Sequence, residues 1–327
     1  MQRLPVKAVV CPGYGPPEVV RIDDVPAPTL SADEVRVRVH IAAVNFPDVL
    51  FIANQYQITV PAPFVPGSEF AGIVTEVADP TGDFAVGDRV SGAALHGAFA
   101  EEVVAPAHGL TRIPDGIDDR TAAAYGVAHG TAYHALRSAA HIGPGQDLVV
   151  LGAGGGVGLA SVQLGVLLGA TVTAVASSDE KLAAAASYGA THLVKHGTAD
   201  LRSALREAVP EGAHAVIDPV GGDVAEPALR SLRPGGRFVT VGFASGVIPR
   251  IPLNLVLIKG AHIIGFQLRD IPPDEFRRNR SELAALLAGG RIVPHVGAVF
   301  QLDDAAQALR LVADGKAVGK VLIEVTT

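Results

Sequence analysis

The first feature with chemical meaning is a glycine-rich segment at residues 152–158, which directly follows an apolar run at 148–151. Glycine permits a tight turn and a close approach of the backbone to a ligand, and the N–H groups that begin a following helix attract phosphate. The strict G-x-G-x-x-G spacing is absent, and the best fit is an Ala-x-Gly-x-x-Gly pattern that begins at Ala153. A second apolar run ends at Ala176, 18 residues beyond Gly158, as a dinucleotide site on a βαβ unit requires. The residues predicted to bind a pyrophosphate through their backbone are Ala153, Gly155, Gly156 and Val157, and the alternative is a turn that packs a helix on a sheet without a ligand.

The residues after the second apolar run indicate which nicotinamide cofactor fits. An acidic side chain there would bind the ribose 2′-hydroxyl and repel a 2′-phosphate. The chain has Ser177 and Ser178 instead, followed by Lys181, so hydroxyl donors and a cation are available for a phosphate dianion. NADPH is therefore the predicted cofactor. Asp179 and Glu180 leave NADH open as the alternative, unless they serve only as acidic residues in the first turn of a helix.

These residues need a large folded protein to position them, and the composition is consistent with one. With 327 residues, of which 49% are hydrophobic and 18% charged, the chain exceeds the usual size of a single core, so two domains are expected. A formal net charge of −7 disfavours nucleic acid and anionic membranes and leaves a small molecule as the expected partner. The single cysteine, Cys11, excludes an internal disulfide framework and favours a reducing compartment, so a cytoplasmic location is expected.

Residues 148–178 contain no ionisable side chain. With 31 residues, this stretch would be long enough to span a bilayer. Its glycines divide it into two strand-like runs around a short helical run. We therefore predict buried parallel strands, which form continuous apolar runs, and no membrane span.

Two patterns of secondary structure divide the chain. Residues 1–120 contain short alternating strands separated by proline-rich turns, which favours an antiparallel barrel. From about Asp118 onward, alanine-rich helices alternate with apolar strands, which indicates βαβ units on a doubly wound parallel sheet. The predicted strands lie at 148–151, 171–176, 192–195, 215–218, 237–241 and 263–266.

The end of the chain is predicted to return to the first domain. A helix around 281–288 and a terminal strand at 320–325 have no βαβ continuation. The predicted domains are therefore a barrel-like substrate domain formed by 1–124 with 267–327, and a dinucleotide-binding domain at 125–266.

Several motifs along nearly the whole chain resemble the medium-chain dehydrogenase/reductase superfamily, and within it the zinc-free quinone oxidoreductase branch that includes zeta-crystallin. Besides the glycine-rich segment, they are Asn45-Phe-Pro-Asp48, Pro66-Gly-Ser-Glu-Phe-Ala-Gly72, Gly87-Asp-Arg-Val90, Gly130-Thr-Ala-Tyr133, Asp218-Pro-Val-Gly-Gly222 and Gly319-Lys-Val321. The resemblance implies an α/β protein with a GroES-like β-barrel domain and a Rossmann domain. It also implies hydride transfer from NADPH to a quinone or related conjugated carbonyl, by a homodimer joined through the strand at 263–266.

Two other functions stay open beside this one. The first is reduction of an enoyl thioester or another α,β-unsaturated carbonyl. The second is binding of a dinucleotide without turnover, as crystallin relatives illustrate.

Zinc ligands of the related alcohol dehydrogenases are missing from this chain. Those enzymes use an early cysteine and a Gly-His-Glu segment, whereas this chain has Gly67-Ser68-Glu69 and only Cys11. Because these ligands are missing, no metal is predicted. Without a Lewis acid an alkoxide is poorly stabilised, so reduction of an electrophilic acceptor is favoured. Glu69 is expected to be a partly buried carboxylate paired with an arginine such as Arg89.

The resemblance also implies which residues form the substrate pocket. Tyr56 would donate a hydrogen bond to the substrate carbonyl, and Asn45 would contact the nicotinamide. Asp48 would line the same pocket or hold its loop by hydrogen bonds. The chain departs from the family at Asn54, where a glycine is common. The alternative for Tyr56 is an aromatic pocket wall without a chemical role.

The remaining cofactor contacts implied by the resemblance lie later in the chain. Thr131 would face the nicotinamide at the start of a helix, with an N-cap as its alternative. His196 would contact the adenosine phosphate or stack on adenine, unless it is a surface histidine. The nicotinamide end would be completed by Phe243 and Phe266, whose alternative is a core position, and by Lys320, whose alternative is a solvated strand end.

Overall fold

The computed structural model describes residues 4–78, 83–197 and 200–326. The strands are β1 (Val6–Val10), β2 (Arg21–Val25), β3 (Glu34–Val44), β4 (Glu69–Val77), β5 (Arg89–Ala93), β6 (Glu102–Pro106), β7 (Leu110–Arg112), β8 (Asp147–Leu151), β9 (Thr171–Ala176), β10 (His192–Lys195), β11 (Ala213–Asp218), β12 (Leu232–Thr240), β13 (His262–Gly265), β14 (Val296–Gln301) and β15 (Lys320–Glu324). The helices are α1 (Phe46–Ile52), α2 (Asp119–His134), α3 (Gly156–Leu167), α4 (Asp179–Ser187), α5 (Leu201–Ala208), α6 (Ala225–Arg230), α7 (Leu253–Lys259), α8 (Pro273–Ala288) and α9 (Ala305–Ala313).

The chain folds into two compact units. The first contains Met1–Val127 and Pro294–Thr327, and the second contains Ala128–Val293. This division differs from the predicted return at residue 267, because α8 packs within the second unit. There the buried amide of Asn279 donates hydrogen bonds to His134 Nδ1 (3.1 Å) and Ser138 Oγ (3.1 Å). The Tyr133 hydroxyl also donates to Glu282 Oε2 at 2.7 Å.

The second unit is built on a six-stranded sheet. Its strand order is β10-β9-β8-β11-β12-β13, and every neighbouring pair is parallel. The central strand β8 is fully apolar after its first residue, and Leu148 to Leu151 are 0% exposed, as expected for a strand covered on both faces. The predicted doubly wound Rossmann fold is therefore confirmed.

The apolar stretch at 148–178 is accounted for by this sheet. It forms β8, the glycine-rich turn, α3 and β9 in succession. Among the helices of the described residues, none combines the length and the apolar character needed to cross a bilayer.

The first unit is centred on a seven-stranded sheet. Its order is β14-β15-β3-β4-β5-β7, and β6 also pairs with β3. All of these pairs are antiparallel except β14 with β15. The 11-residue strand β3 holds the sheet together because it pairs with β15, β4 and β6, and its Val35, Val37 and Val39 are fully buried. The predicted GroES-like domain is confirmed, and the terminal strand β15 pairs with β3 of this sheet.

One crossover in the first unit was not predicted. β14, α9 and β15 form a parallel βαβ unit, although the terminal strand was interpreted as having no such continuation. Alanine and leucine side chains of α9 (Ala305, Ala308 and Leu309) are buried in the core of this unit. The repeated small and apolar positions of α9 are the only sequence signal for it.

Candidate functional site

The glycine-rich turn joins β8 to α3 and requires glycine at defined positions. Gly152 has a φ of +60°, and a Cβ at Gly158 would lie 2.0 Å from the Gly152 carbonyl oxygen. Helix α3 begins after Gly155, which has no side chain that could cap it. The first N–H groups of α3, those of Gly156 and Val157, therefore have no acceptor within the helix. This is the local geometry that accepts a phosphate.

Three of the predicted adenosine-binding residues come together beside this turn. Ser177 follows β9, and Lys181 lies in the first turns of α4, with its Nζ 3.4 Å from Ser177 Oγ. A Cβ at Gly154 would lie only 2.3 Å from Lys181 Cβ, which shows that the lysine stem packs over the turn. His196 follows β10, and its backbone N–H donates to the Ala176 carbonyl at 3.0 Å.

The electrostatics of this cluster reflect its partial burial. Burial lowers the pKa of Lys181, although Glu180 opposes the shift. Burial also lowers the pKa of His196, and the nearby Lys181 ammonium lowers it further. The lowered pKa favours the neutral form of His196, so the lysine is the main cationic side chain of the cluster.

The two acidic residues that left NADH open lie in the first turn of α4. Ser178 caps this helix, since its hydroxyl accepts the Lys181 N–H at 3.3 Å. Asp179 forms an ion pair with Lys195, at 2.7 Å between Oδ2 and Nζ. The sequence reasoning did not identify Lys195, although its position at the end of the next strand was a usable signal.

The predicted phenylalanines follow β12 and β13, whose carboxyl ends lie at the same edge of the sheet. Phe243 is 37% exposed and packs so close to Gly221 that a Cβ there would lie 2.8 Å from its ring, so it is not a core residue. The backbone N–H of Phe266 donates to Thr240 at 3.0 Å. Asp218 is fully buried at the end of β11, and its Oδ1 accepts the N–H groups of Val220 and Gly221, both at 2.8 Å.

Thr131 does not begin a helix. It lies in the last turn of α2, which starts at Asp119, so both the predicted helix start and the N-cap alternative are wrong. Asp118 provides the cap instead, because its Oδ1 accepts the Thr121 N–H at 2.7 Å. The helix start was predicted at Gly130-Thr131 because glycine is typical of a helix boundary.

A second polar cluster lies inside the first unit and is built around Lys320. Its Nζ lies 2.5 Å from Asn45 Oδ1 and 3.0 Å from Glu69 Oε2. Asn45 Nδ2 in turn donates to Glu69 Oε2 at 3.0 Å, and Glu69 Oε1 accepts the Val127 N–H at 2.7 Å. Lys320 is 4% exposed, so its interpretation as a solvated strand end is wrong. No local signal could have predicted this cluster, because Glu69 and Lys320 are 251 residues apart.

The expected pairing of Glu69 with Arg89 is also wrong. Arg89 Nη2 lies 2.5 Å from Asp119 Oδ1, and Asp119 Oδ2 contacts His40 Nδ1 at 2.7 Å. Arg89 is the first residue of β5 and pairs there with Ile73, the middle residue of β4, whereas Glu69 begins β4 and pairs with Ala93. About 13 Å of strand therefore separates Glu69 from the position opposite Arg89.

Asp48 holds the start of α1. Its Oδ2 accepts the Asn45 backbone N–H at 2.7 Å. Burial raises the pKa of Asp48 to about 7, despite the opposing effects of the Asn45 N–H, the Ser68 hydroxyl and the Lys320 ammonium. The carboxyl therefore keeps its proton to a higher pH than an exposed aspartate does.

Tyr56 lies just beyond α1 and is half-buried. Its ring centroid is 4.6 Å from that of Phe51, with the planes tilted by 52°. Asn54, which stands where the family commonly has glycine, adopts a φ of +52°. Because asparagine tolerates this left-handed conformation, the turn toward Tyr56 forms without glycine.

The comparisons with known proteins agree with these two units. Residues 31–115 match the alcohol dehydrogenase GroES-like domain family, and residues 156–285 match the zinc-binding dehydrogenase family. These are the two domains of the medium-chain dehydrogenase/reductase superfamily.

Relatives match along nearly the whole chain. The quinone oxidoreductase-like protein 2 of Bos taurus is 38% identical over 324 residues, which cover 97% of this chain and 92% of the relative. A mycobacterial protein solved with NADPH is 29% identical and superimposes with a TM-score of 0.91, covering 98% of this chain and 100% of that chain. The Escherichia coli quinone oxidoreductase solved with NADPH is 25% identical, with a TM-score of 0.90 and coverages of 99% and 100%. The chain belongs to the zinc-free quinone oxidoreductase branch of this superfamily, and it is an oxidoreductase.

The zinc implied by one of the matched families does not fit the side chains of this chain. Ser68 stands where a histidine ligand would be, and Glu69 already contacts the Lys320 ammonium. The Cys11 thiol is fully buried and donates to the Gly13 carbonyl at 3.1 Å. Within the described parts of the chain, no three His, Cys, Asp or Glu residues are grouped to hold a metal ion.

Proposed function

We propose that this protein is a zinc-independent, NADPH-dependent reductase that acts on a quinone or a related conjugated carbonyl. The observation that carries the proposal is the glycine-rich turn with Ser177, Lys181 and His196 beside it. Two similar structures solved with NADPH support the choice of cofactor. NADPH, when bound, supplies a hydride to the acceptor.

The side chains of the second unit fit such a cofactor. The N–H groups of Gly156 and Val157 would bind the pyrophosphate, since the small residues around them leave room for close approach. Lys181, with the Ser177 hydroxyl, would bind the 2′-phosphate, and His196 would lie against the adenosine. Thr131, Phe243 and Phe266 are proposed to position the nicotinamide.

In the first unit, we assign different roles to the predicted pocket residues. The Tyr56 hydroxyl would donate a hydrogen bond to the acceptor carbonyl. Asn45 would contact the nicotinamide, and Lys320 and Glu69 would keep its amide in one orientation. Asp48 would hold the Asn45 loop. A quinone needs no strong general acid, which is consistent with a site that relies mainly on positioning.

The test is oxidation of NADPH and NADH, followed by nicotinamide absorbance, with quinones, enones and enoyl thioesters, in the presence and absence of a chelator. The expected result is quinone turnover that prefers NADPH and is insensitive to the chelator. Loss of turnover with the chelator would contradict the zinc-independent mechanism, and NADPH binding without any turnover would contradict quinone reduction.

The second candidate is reduction of an enoyl thioester or another α,β-unsaturated carbonyl. It is favoured by the half-buried Tyr56, which is held against Phe51 and could polarise a weaker acceptor. A Tyr56→Phe variant separates the two candidates. It is expected to lose little activity with quinones, whereas a loss of about 100-fold with enoyl thioesters would favour the second candidate.

We also propose that the protein is a homodimer in a reducing, cytoplasmic compartment. In the second unit, β13 lies at the edge of the sheet, and the apolar side chains of Leu257 and Ile258 are exposed on α7, the helix that precedes β13 in the chain. A patch of this kind is typical of a contact between subunits. The single cysteine of the chain, Cys11, is buried, and this cysteine content fits a reducing environment.

A further inference from the structure

Lys195 lies at the point where the adenosine end of the cofactor is proposed to bind. It is the last residue of β10 and is in register with Ala176 of β9, which directly precedes Ser177. Its Nζ lies 2.7 Å from Oδ2 of Asp179, the first residue of α4. The ion pair therefore joins the end of β10 to the start of α4, the helix that follows β9. Asp179 lies two residues after Ser177 in the chain.

Asp179 is the residue whose carboxylate would most strongly oppose the binding of a 2′-phosphate. An acidic side chain near the end of the second strand repels a phosphate dianion and can accept a hydrogen bond from a 2′-hydroxyl. Asp179 is 84% exposed, so its carboxylate would be free to turn toward the ribose if nothing held it. Lys195 is more enclosed, at 34% exposure, and fixes the position of the carboxylate.

Lys195 adds a second cation at the start of α4. The first turn of this helix carries two carboxylates, Asp179 and Glu180, together with Lys181, and Lys195 pairs with Asp179 from the neighbouring strand. Without Lys195, one lysine would face two carboxylates. An exposed ion pair contributes little to folding stability, so the main effect of this pair is on the local potential.

We propose that Lys195 determines specificity for NADPH over NADH by pairing with Asp179, so that the carboxylate neither repels the 2′-phosphate nor binds the 2′-hydroxyl. This inference rests on the proposed function. It differs from a direct role in phosphate binding, because it makes the effect of Lys195 depend on Asp179.

The experiment measures the dissociation constants of NADPH, NADH and 2′,5′-ADP by calorimetry on the full chain at low ionic strength. The variants are Lys195→Met, Asp179→Asn and the double variant. Lys316→Met is the matched control, since Lys316 also belongs to an exposed Lys–Asp pair, with Asp314 at 3.1 Å, but lies in the first unit.

Lys195→Met is expected to weaken NADPH and 2′,5′-ADP binding about tenfold, because the Asp179 carboxylate, no longer paired, then repels the 2′-phosphate dianion. Binding of NADH should stay within about twofold or improve. The double variant should recover NADPH affinity to within about threefold of the original protein, and the control should change neither affinity.

Three results would overturn the inference. Equal losses for NADPH and NADH in Lys195→Met would indicate a structural role. A loss that persists in the double variant would indicate direct phosphate binding by Lys195. Unchanged selectivity in Lys195→Met, with NADPH still bound by the original protein, would overturn only the role of Lys195. An original protein that binds no nucleotide would overturn the proposed function as well.

Discussion

Lys320 is a single residue on which several buried polar groups of the first unit depend. Its ammonium contacts Glu69 and Asn45, and both the lysine and the glutamate are less than 5% exposed. Replacing one member of a buried pair leaves the other charge uncompensated. Lys320→Met should therefore lower the free energy of unfolding by about 3–5 kcal/mol, as measured by urea denaturation.

The matched variant for this prediction removes both charges. Lys320→Met combined with Glu69→Gln should recover much of the loss, because no isolated charge stays buried. A single variant that costs less than about 1 kcal/mol would show that Glu69 is compensated by another group.

Asp48 predicts a pH dependence of stability. Its pKa is raised to about 7 in the folded protein by burial, compared with about 3.9 in an unfolded chain. The folded state therefore holds the proton more tightly. The resulting stability is fully present below about pH 4 and is lost as the pH rises through about 7.

Asp48→Asn should flatten this part of the profile, because asparagine can still accept the Asn45 N–H but does not ionise. The difference between the variant and the original protein in free energy of unfolding should change by on the order of 1–3 kcal/mol between pH 4 and 8, in favour of the variant at pH 8. Urea titrations at several pH values measure it, and parallel profiles would contradict the raised pKa.

At the scale of an element, the turn from β8 to α3 depends on glycine. A Cβ at Gly158 would lie 2.0 Å from the backbone oxygen of Gly152, and backbone cannot give way as a flexible side chain can. Gly158→Ala should lower the free energy of unfolding by about 2 kcal/mol or more and weaken NADPH binding at least tenfold.

Gly143→Ala is the control for this turn. A Cβ at Gly143 would meet no atom within 4 Å, so this variant should bind NADPH normally and unfold within about 1 kcal/mol of the original protein. Calorimetry and urea denaturation compare the two. Normal binding by Gly158→Ala would show that the helix start can shift without loss of the site.

At the scale of the whole molecule, the prediction concerns the exposed apolar residues of α7, the helix that precedes β13 in the chain. Leu257 and Ile258 are 83% and 77% exposed on α7. If they lie in the contact between two copies of the chain, Leu257→Glu with Ile258→Glu should convert a dimer into a monomer, because buried carboxylates lack partners there. Light scattering of the original protein and the double variant measures this, and a monomeric original protein would contradict the proposed dimer.

The fold and the grouping of several candidate cofactor-binding residues could be predicted because their signals are local in the chain. The strands β9 and β10 were predicted to the residue, since buried parallel strands form short apolar runs between glycines and helices. The cluster of Ser177, Lys181 and His196 follows from the same pattern, because parallel strands bring their carboxyl ends to one edge of the sheet.

The order of amino acids was thus enough to predict the class of the two domains, the glycine-rich turn and the edge of the sheet beside it. The partners of charged residues, such as Glu69 with Lys320, Arg89 with Asp119 and Asp179 with Lys195, became evident only from the folded chain. The folded chain also showed that α8 packs against residues near position 134 and not with the end of the chain. The physical reason is that periodicity and turn chemistry act between near neighbours, whereas an ion pair depends on which distant strand ends the packing brings together.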